Sequence, residues 1–182
     1  IMGNNPEPLQ EALYDIMGKA LGKPAHALLG QKCRDKVAAA FWSIDMSPDR
    51  ASDEAMAAVE AGYLVHKLKV RPWIDFIAQA ESIFSVVPPE YRLRPDNNGH
   101  RYPDYFTVDR ILYFARKLER FWDRFDYFEG PIEDNNLSGL AYLRKNLRVP
   151  ISVHASPEWA SLCCKNEACD FFQVGGPVST IA

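Results

Sequence analysis

The sequence predicts an α/β fold of the TIM-type (β/α) barrel class, because short apolar segments alternate with longer amphipathic segments along most of the chain. The apolar segments recur at a spacing close to one strand–helix unit of an eight-stranded barrel. No glycine-rich phosphate loop follows the first of them, as a dinucleotide-binding sheet would require. Six segments are predicted strands: 36–43, 63–70, 91–96, 126–130, 150–155 and 170–174. We therefore expect a parallel barrel in which about six of eight strands are present.

A helix is predicted ahead of the first strand, over residues 8–21. Leu9 and Leu13 fall on one face at helical spacing, with Pro8 suited to the first turn and Gly22 suited to the stop. Amphipathic patterns then separate the strands near residues 51–61, 72–87, 104–125, 137–147 and 157–168. This alternation of strand and helix is typical of βαβ units.

The domain organisation follows from the number of strands. We assign residues 1–35 to a helix and a lead-in, and residues 36–182 to a partial barrel domain. A complete barrel takes about 250 residues and eight strands. We therefore expect the last strands to be absent from this sequence.

Composition argues against several classes of protein. The 182 residues are 47% hydrophobic and 25% charged, which is typical of a globular protein. The net charge of -3 provides no basic footprint for nucleic acid. No apolar run is long enough to span a membrane, and residues 1–7 lack the features of a signal peptide. We expect a cytoplasmic protein that binds neither nucleic acid nor membranes.

The four cysteines, Cys33, Cys163, Cys164 and Cys169, do not form a disulfide framework in a chain of this length. A zinc site is an alternative, because His154 precedes the last three cysteines by a short distance in the sequence. The spacing matches no familiar zinc finger or ribbon, so reduced thiols are the favoured interpretation.

The alternation of apolar and polar residues predicts which side chains face the barrel axis. Apolar residues of the second strand share one parity, which turns Lys67 and Lys69 inward. The same argument places Asp96, Glu129 and His154 inward at the C-terminal ends of the next three strands. Barrel enzymes keep their active sites at this rim. The coincidence of these residue types at one rim therefore predicts an active site.

These residue types suggest metal-assisted proton abstraction. Asp96 and Glu129 offer the hard oxygen ligands that Mg2+ prefers. Lys67 and Lys69 repel each other on one face, so we expect the pKa of at least one to fall and allow it to act as a base. A base and a metal together suit removal of the proton next to a carboxylate, because the metal stabilises the enediolate that forms.

Several segments, taken together, resemble the barrel domain of the enolase superfamily, in the mandelate racemase and muconate lactonizing enzyme group. The resemblance runs from about residue 8 to the end of the chain. The segments that carry it are residues 12–34, GYLVHKLKV at 62–70, the Asp-x-Asn-Gly at 96–99 and FEGP at 128–131. Enzymes of this superfamily pair a lysine or histidine base with Mg2+.

The resemblance implies a role for each matching residue. Lys69 matches the second lysine of the family's Lys-x-Lys motif, which is the base, and Lys67 matches its partner. Asp96 and Glu129 match the first two metal ligands. Asn98 matches a supporting polar position, which we assign to substrate binding.

The third metal ligand of the family departs from the pattern in this chain. The family has Glu, Asp or Asn at the end of the fifth strand, where this sequence has His154 followed by Ala155. Parity favours His154 as the third ligand, and Glu158 is a weaker candidate. Because imidazole suits softer ions, Mn2+ or another divalent ion is an alternative to Mg2+.

The resemblance implies a racemase, a cycloisomerase or an acid-sugar dehydratase acting on a small carboxylate or acid sugar. The family's lid domain and the strands that often carry its second acid/base are expected to be absent, and its sixth-strand lysine has no match in residues 170–176. We also expect a homo-oligomer, because an incomplete barrel exposes apolar surface. The alternative is a catalytically inactive relative that serves as a binding or assembly module.

Overall fold

The structure, a computed structural model, describes residues 7–173. The chain divides into two compact units, of which Ala39–Gln173 is one. The described part of the other unit, residues 7–38, contains helix α1 (Glu7–Leu21) and a short 3-10 helix (Ala25–Leu28). The helix predicted over residues 8–21 is therefore confirmed. Val174, predicted as the end of the last strand, lies outside the described residues.

Six parallel strands form one sheet in the unit Ala39–Gln173, and their order in the sheet is their order in the sequence. Sequential order is the arrangement of a (β/α) barrel, whereas doubly wound sheets reverse direction at a switch point. All six predicted strands are confirmed, and the first five are shorter than predicted. They are β1 (Phe41–Ser43), β2 (Val65–Lys69), β3 (Arg92–Asp96), β4 (Phe128–Glu129), β5 (Ile151–His154) and β6 (Phe171–Gln173).

A helix follows each of the first five strands, and each of these helices begins at a polar side chain that caps a backbone N–H. The helices are α2 (Pro48–Glu60), α3 (Phe76–Val86), α4 (Val108–Lys117), α5 (Leu137–Asn146) and α6 (Pro157–Lys165). Their caps, in the same order, are Ser47, Asp75, Thr107, Asn136 and Ser156. None of the described helices is long and apolar enough to cross a membrane.

The continuous helix predicted over residues 104–125 is wrong. The α-helix ends at Lys117, and a 3-10 helix, Glu119–Arg124, follows it. Between them Leu118 leaves helical geometry, with φ -103° and ψ 14°, while its side chain is fully buried. The indole N–H of Trp122 then donates to the carbonyl of Ala115 at 2.8 Å. Burial of Leu118 and this hydrogen bond thus coincide with the end of the α-helix, whereas the periodicity of the sequence alone predicts that the helix continues.

The hydrophobic core lies between the outer face of the sheet and the helices, as strand parity predicts. Leu68, Leu93 and Ile151 each point from a strand into this layer and are fully buried. Phe76 of α3 packs edge-on against Phe114, with 5.3 Å between ring centroids, and is fully buried as well. Because the outer face is mostly filled by apolar groups, the charged residues of the strands lie on the opposite face.

Candidate active site

The strand register brings the predicted site residues to one level of the sheet. Lys69 of β2 pairs with Asp96 of β3, and Asp96 pairs with Glu129 of β4. All three lie at the C-terminal ends of their strands. In parallel strands these ends meet at the same edge, so residues far apart in the sequence form one cluster.

Two lysines and two carboxylates form a connected ion network at this edge. Lys67 Nζ lies 2.6 Å from Glu129 Oε1 and 3.1 Å from Asp96 Oδ2. Lys69 Nζ donates to Asp96 Oδ2 and, at 3.2 Å, to Asn98 Oδ1. Both carboxylates are fully buried, whereas the lysine side chains are 22% and 16% exposed. Each buried negative charge therefore has a cationic partner that remains reachable from solvent.

The pKa of Lys67 is raised, whereas the two lysines were expected to repel each other so that the pKa of at least one would fall. Burial would lower the pKa of its ammonium, but the hydrogen bond to Glu129 and the charges of Asp96 and Glu129 outweigh burial and raise it. For Asp96, burial would raise the pKa of the carboxyl, but the hydrogen bond from Lys69 and the charge of Lys67 lower it. Lysine–lysine repulsion thus does not lower the pKa of Lys67, because the carboxylates on neighbouring strands dominate.

The loop after β3 holds Asn98 in a left-handed conformation, with φ 50° and ψ 49°. Its backbone N–H donates to Asp96 Oδ1 at 3.1 Å. The next residue must be glycine, because a Cβ on Gly99 would lie 2.3 Å from the carbonyl carbon of Ile132. The Gly99 N–H in turn donates to the carbonyl of Gly130 at 2.8 Å. Close contact with the loop after β4 therefore fixes the backbone that presents Asn98 to Lys69.

His154 lies at the outer side of the cluster. Its Nε2 is 3.4 Å from Glu129 Oε1, and its side chain is 43% exposed. His100 packs edge-on against it, with 6.2 Å between ring centroids, and His100 Nδ1 is 3.8 Å from Asp134 Oδ2. Burial raises the pKa of the Asp134 carboxyl, although the two histidines act to lower it. The structure thus brings His154 to the cluster through Glu129.

One oxygen atom of the acidic residues is suited to bind a divalent cation. Glu129 Oε2 is buried and has no hydrogen-bond partner in the described part of the chain. A buried carboxylate oxygen without a donor is costly, and a hard cation would satisfy it. Within residues 7–173, however, no three His, Cys, Asp or Glu side chains are grouped so that they could hold a metal ion. The ligand set of Asp96, Glu129 and His154 therefore stays a prediction.

The alternative interpretation of the cysteines was a zinc site. Among the described residues, His154 and the cysteines near it do not form a group that could hold a metal ion. Cys163 is buried, Cys164 is exposed and Cys169 is half-buried, and all are free thiols. Burial raises the pKa of the Cys169 thiol to about 12. None of the three is joined in a disulfide, which agrees with the prediction of reduced thiols.

Two residues of the site were missed by the sequence analysis. Arg71 donates to Asn98 Oδ1 at 3.3 Å, and Asp45, in the loop after β1, lies 3.1 Å from Arg71 Nε. Arg71 stands two residues beyond Lys69, so continuation of the strand parity was a signal for it. Asp45 had no comparable signal, because it lies in a loop whose position is set by tertiary contacts.

A sequential parallel sheet with a lysine and carboxylate cluster at its C-terminal edge defines a (β/α) barrel protein with a polar rim. The family model described as Enolase C-terminal domain-like matches residues 50–175. The chain therefore belongs to this family, and its relatives place it in the mandelate racemase and muconate lactonizing enzyme group.

Curated relatives include a dehydratase and an epimerase. Arabinonate dehydratase from Saccharolobus solfataricus is 30% identical over 148 residues, which are 78% of this chain and 37% of that protein. L-Ala-D/L-Glu epimerase from Clostridium acetobutylicum is 28% identical over 168 residues, which are 90% of this chain and 45% of that protein. The chain thus spans less than half the length of these relatives.

A solved structure has the same fold. The dipeptide epimerase from Enterococcus faecalis V583, complexed with Mg and the dipeptide L-Leu-L-Tyr, has a TM-score of 0.75 and 22% sequence identity. The match covers 88% of this chain and 44% of the epimerase chain. The likeness supports the predicted barrel fold, of which this chain contains a part.

Proposed function

We propose that this chain is the barrel portion of a divalent-metal-dependent enzyme that abstracts the proton next to a substrate carboxylate. One observation carries the proposal: two lysine side chains, partly open to solvent, contact two fully buried carboxylates at the C-terminal edge of a barrel sheet. The family supports the same chemistry, because the relatives are enzymes that racemise, epimerise or dehydrate.

Each residue of the cluster has its own proposed role, which follows from its chemistry. Lys69 is the base that takes the α-proton at Nζ, and Lys67 is its cationic partner. Asp96 and Glu129 would hold the cation, with His154 as the third ligand. Mg2+ is the first choice and Mn2+ an alternative, since a neighbour of the same fold is complexed with Mg. When bound, the ion supplies positive charge that stabilises an enediolate.

Asn98 completes the site by accepting a hydrogen bond from Lys69 Nζ at its side-chain carbonyl, at 3.2 Å. Asn98 is buried, with 7% of its surface exposed. We assign it to substrate binding. The substrate class is a small carboxylate or an acid sugar, which the arabinonate dehydratase and the Ala-Glu epimerase among the relatives support.

We further propose that residues 1–35 are a lead-in to a partial barrel over residues 36–182. A cytoplasmic homo-oligomer is the proposed state.

Metal binding is tested first, by electron paramagnetic resonance with Mn2+ and no substrate. The parent chain is compared with Asp96→Asn and Glu129→Gln, each of which removes one proposed ligand charge. Asp126→Asn is the matched control, because Asp126 also pairs with a cation, Arg94, at 2.6 Å but lies outside the lysine network. Loss of binding in the first two variants and not in the control supports the site.

Proton abstraction is tested by following deuterium exchange at the α-carbon in heavy water, with arabinonate and the dipeptide L-Ala-L-Glu as probes. Lys69→Ala should abolish exchange while Mn2+ affinity stays near that of the parent. Exchange that survives this substitution would remove Lys69 as the base.

The second candidate is an inactive relative that binds or assembles. It is favoured by His154 and Ala155 standing where the resemblance places a carboxylate or amide ligand. A folded parent chain that binds no Mn2+ would favour this candidate.

A further inference from the structure

Arg71 is held rigidly beside the lysine cluster. Its side chain is 13% exposed, and its Nε lies 3.1 Å from Asp45 Oδ1. Its Nη1 donates to the carbonyl of Val70 at 3.0 Å and to Asn98 Oδ1 at 3.3 Å. The guanidinium thus contacts three acceptors with donors held in one plane, a fixed geometry that the rotating ammonium of a lysine does not have.

The contact with Asn98 connects Arg71 to Lys69. Asn98 Oδ1 accepts from Lys69 Nζ at 3.2 Å and from Arg71 Nη1 at 3.3 Å, so the two cations share one acceptor atom. The backbone of Asn98 is fixed by its left-handed conformation and by its bond to Asp96. The remaining freedom is the rotation of its amide, and two donors on one oxygen restrict that rotation.

Residues from three loops enclose the guanidinium. Asp45, after β1, also accepts at Oδ2 from the indole N–H of Trp73 at 3.2 Å. The Arg71 guanidinium carbon lies 5.9 Å from the ring centroid of Tyr102, which follows β3. Trp73 packs edge-on against Tyr102 with 5.7 Å between centroids. Arg71 is therefore placed by contacts that do not involve the carboxylates of the cluster.

We propose that Arg71 is a positioning residue: by bonding the Asn98 carbonyl that also accepts from Lys69, it holds the Lys69 side chain in the place where it meets the substrate proton. This inference rests on the proposed function, in which Lys69 is the base. A displacement of about 1 Å in a reacting group lowers rates by up to about 100-fold, so loss of this support should affect turnover more than substrate affinity.

The test combines Arg71→Met, Asn98→Ala and the double variant in the full chain. With the probe carboxylate that exchanges fastest in the parent, Arg71→Met should lower kcat about 10- to 100-fold and leave KM within about twofold. Because Arg71 acts through Asn98, the double variant should have a kcat less than about twofold below that of Asn98→Ala alone. If the two substitutions lower kcat by independent factors that multiply in the double variant, the proposal is overturned.

Two further variants separate positioning from general destabilisation. Asp45→Asn keeps Arg71 but weakens the contact that holds it, so it should lower kcat in the same direction by a smaller factor. Arg144→Met is the matched control, because Arg144 pairs with Asp170 at 2.8 Å in another part of the unit. It should leave kcat within about twofold of the parent. Equal losses in Arg144→Met and Arg71→Met would overturn the proposal.

A readout without activity keeps the inference separate from the proposed function. The lysine ammonium groups are observed by 1H–15N nuclear magnetic resonance, with the Lys69 signal assigned by its absence in Lys69→Ala. Arg71→Met and Asn98→Ala should both shift or broaden that signal, whereas Arg144→Met should not. An unchanged signal in Arg71→Met would refute positioning, even if the parent chain exchanges no α-proton and the proposed function fails.

Discussion

Acidification should destabilise this fold through one buried histidine, His66. The residue is fully buried on the outer face of β2, where its Nε2 lies 2.5 Å from Ser43 Oγ. Its Nδ1 is buried and has no hydrogen-bond partner in residues 7–173. The ring packs edge-on against Phe41 with 5.2 Å between centroids. No acidic side chain in residues 7–173 contacts the ring, so burial lowers the pKa of His66 from 6.5 to about 4.

The magnitude follows from linkage between protonation and folding. Above pH 6.5 the imidazole is neutral in both the folded and the unfolded chain, and the full stability is present. As the pH falls below 6.5, His66 becomes protonated in the unfolded chain, whereas in the folded chain it stays neutral down to about pH 4. One pKa unit corresponds to about 1.4 kcal/mol. The free energy of unfolding should therefore fall by about 2 kcal/mol at pH 5 and about 3 kcal/mol at pH 4 from this residue alone.

The assay is urea unfolding followed by tryptophan fluorescence between pH 7.5 and pH 5. The reference is the double variant His66→Leu with Ser43→Ala, which removes the titrating ring and leaves no unpaired hydroxyl. Subtracting the free energy of unfolding of the double variant from that of the parent at each pH removes the contribution of the carboxylates that both proteins share. His26→Gln serves as the control, because His26 is exposed. A difference between parent and double variant that does not change with pH would refute the reasoning.

Two further changes probe the site and its loop. Gly99→Ala should lower the free energy of unfolding by about 3 kcal/mol or more, because its Cβ would lie 2.3 Å from the backbone of Ile132; a loss under about 1 kcal/mol in urea unfolding would show that the loop after β4 can move aside. Lys67→Met removes the donor 2.6 Å from Glu129 Oε1 and leaves two fully buried carboxylates with one cation fewer. It should cost about 2 kcal/mol in urea unfolding with EDTA at pH 7, and a variant more stable than the parent would contradict this.

The sequence alone determined the alternation of strands and helices and the face on which the catalytic candidates lie. Successive side chains of a strand point to opposite faces whatever surrounds the strand, so the apolar Leu68 and Val70 placed Lys67 and Lys69 on the other side. Asp96 and Glu129 follow their strands directly, and parallel strands end at one edge. Their meeting was therefore predictable before any contact was known.

Only the tertiary structure decided how these groups affect one another. The pKa of at least one lysine was expected to fall, but carboxylates from two other strands raise the pKa of Lys67. The Arg71–Asp45 pair joins loops after two different strands, and no local pattern marks Asp45 as its partner. Alternation along a strand is a local property of the backbone, whereas charge balance depends on distances between residues remote in the sequence, and those distances exist only once the strands are assembled.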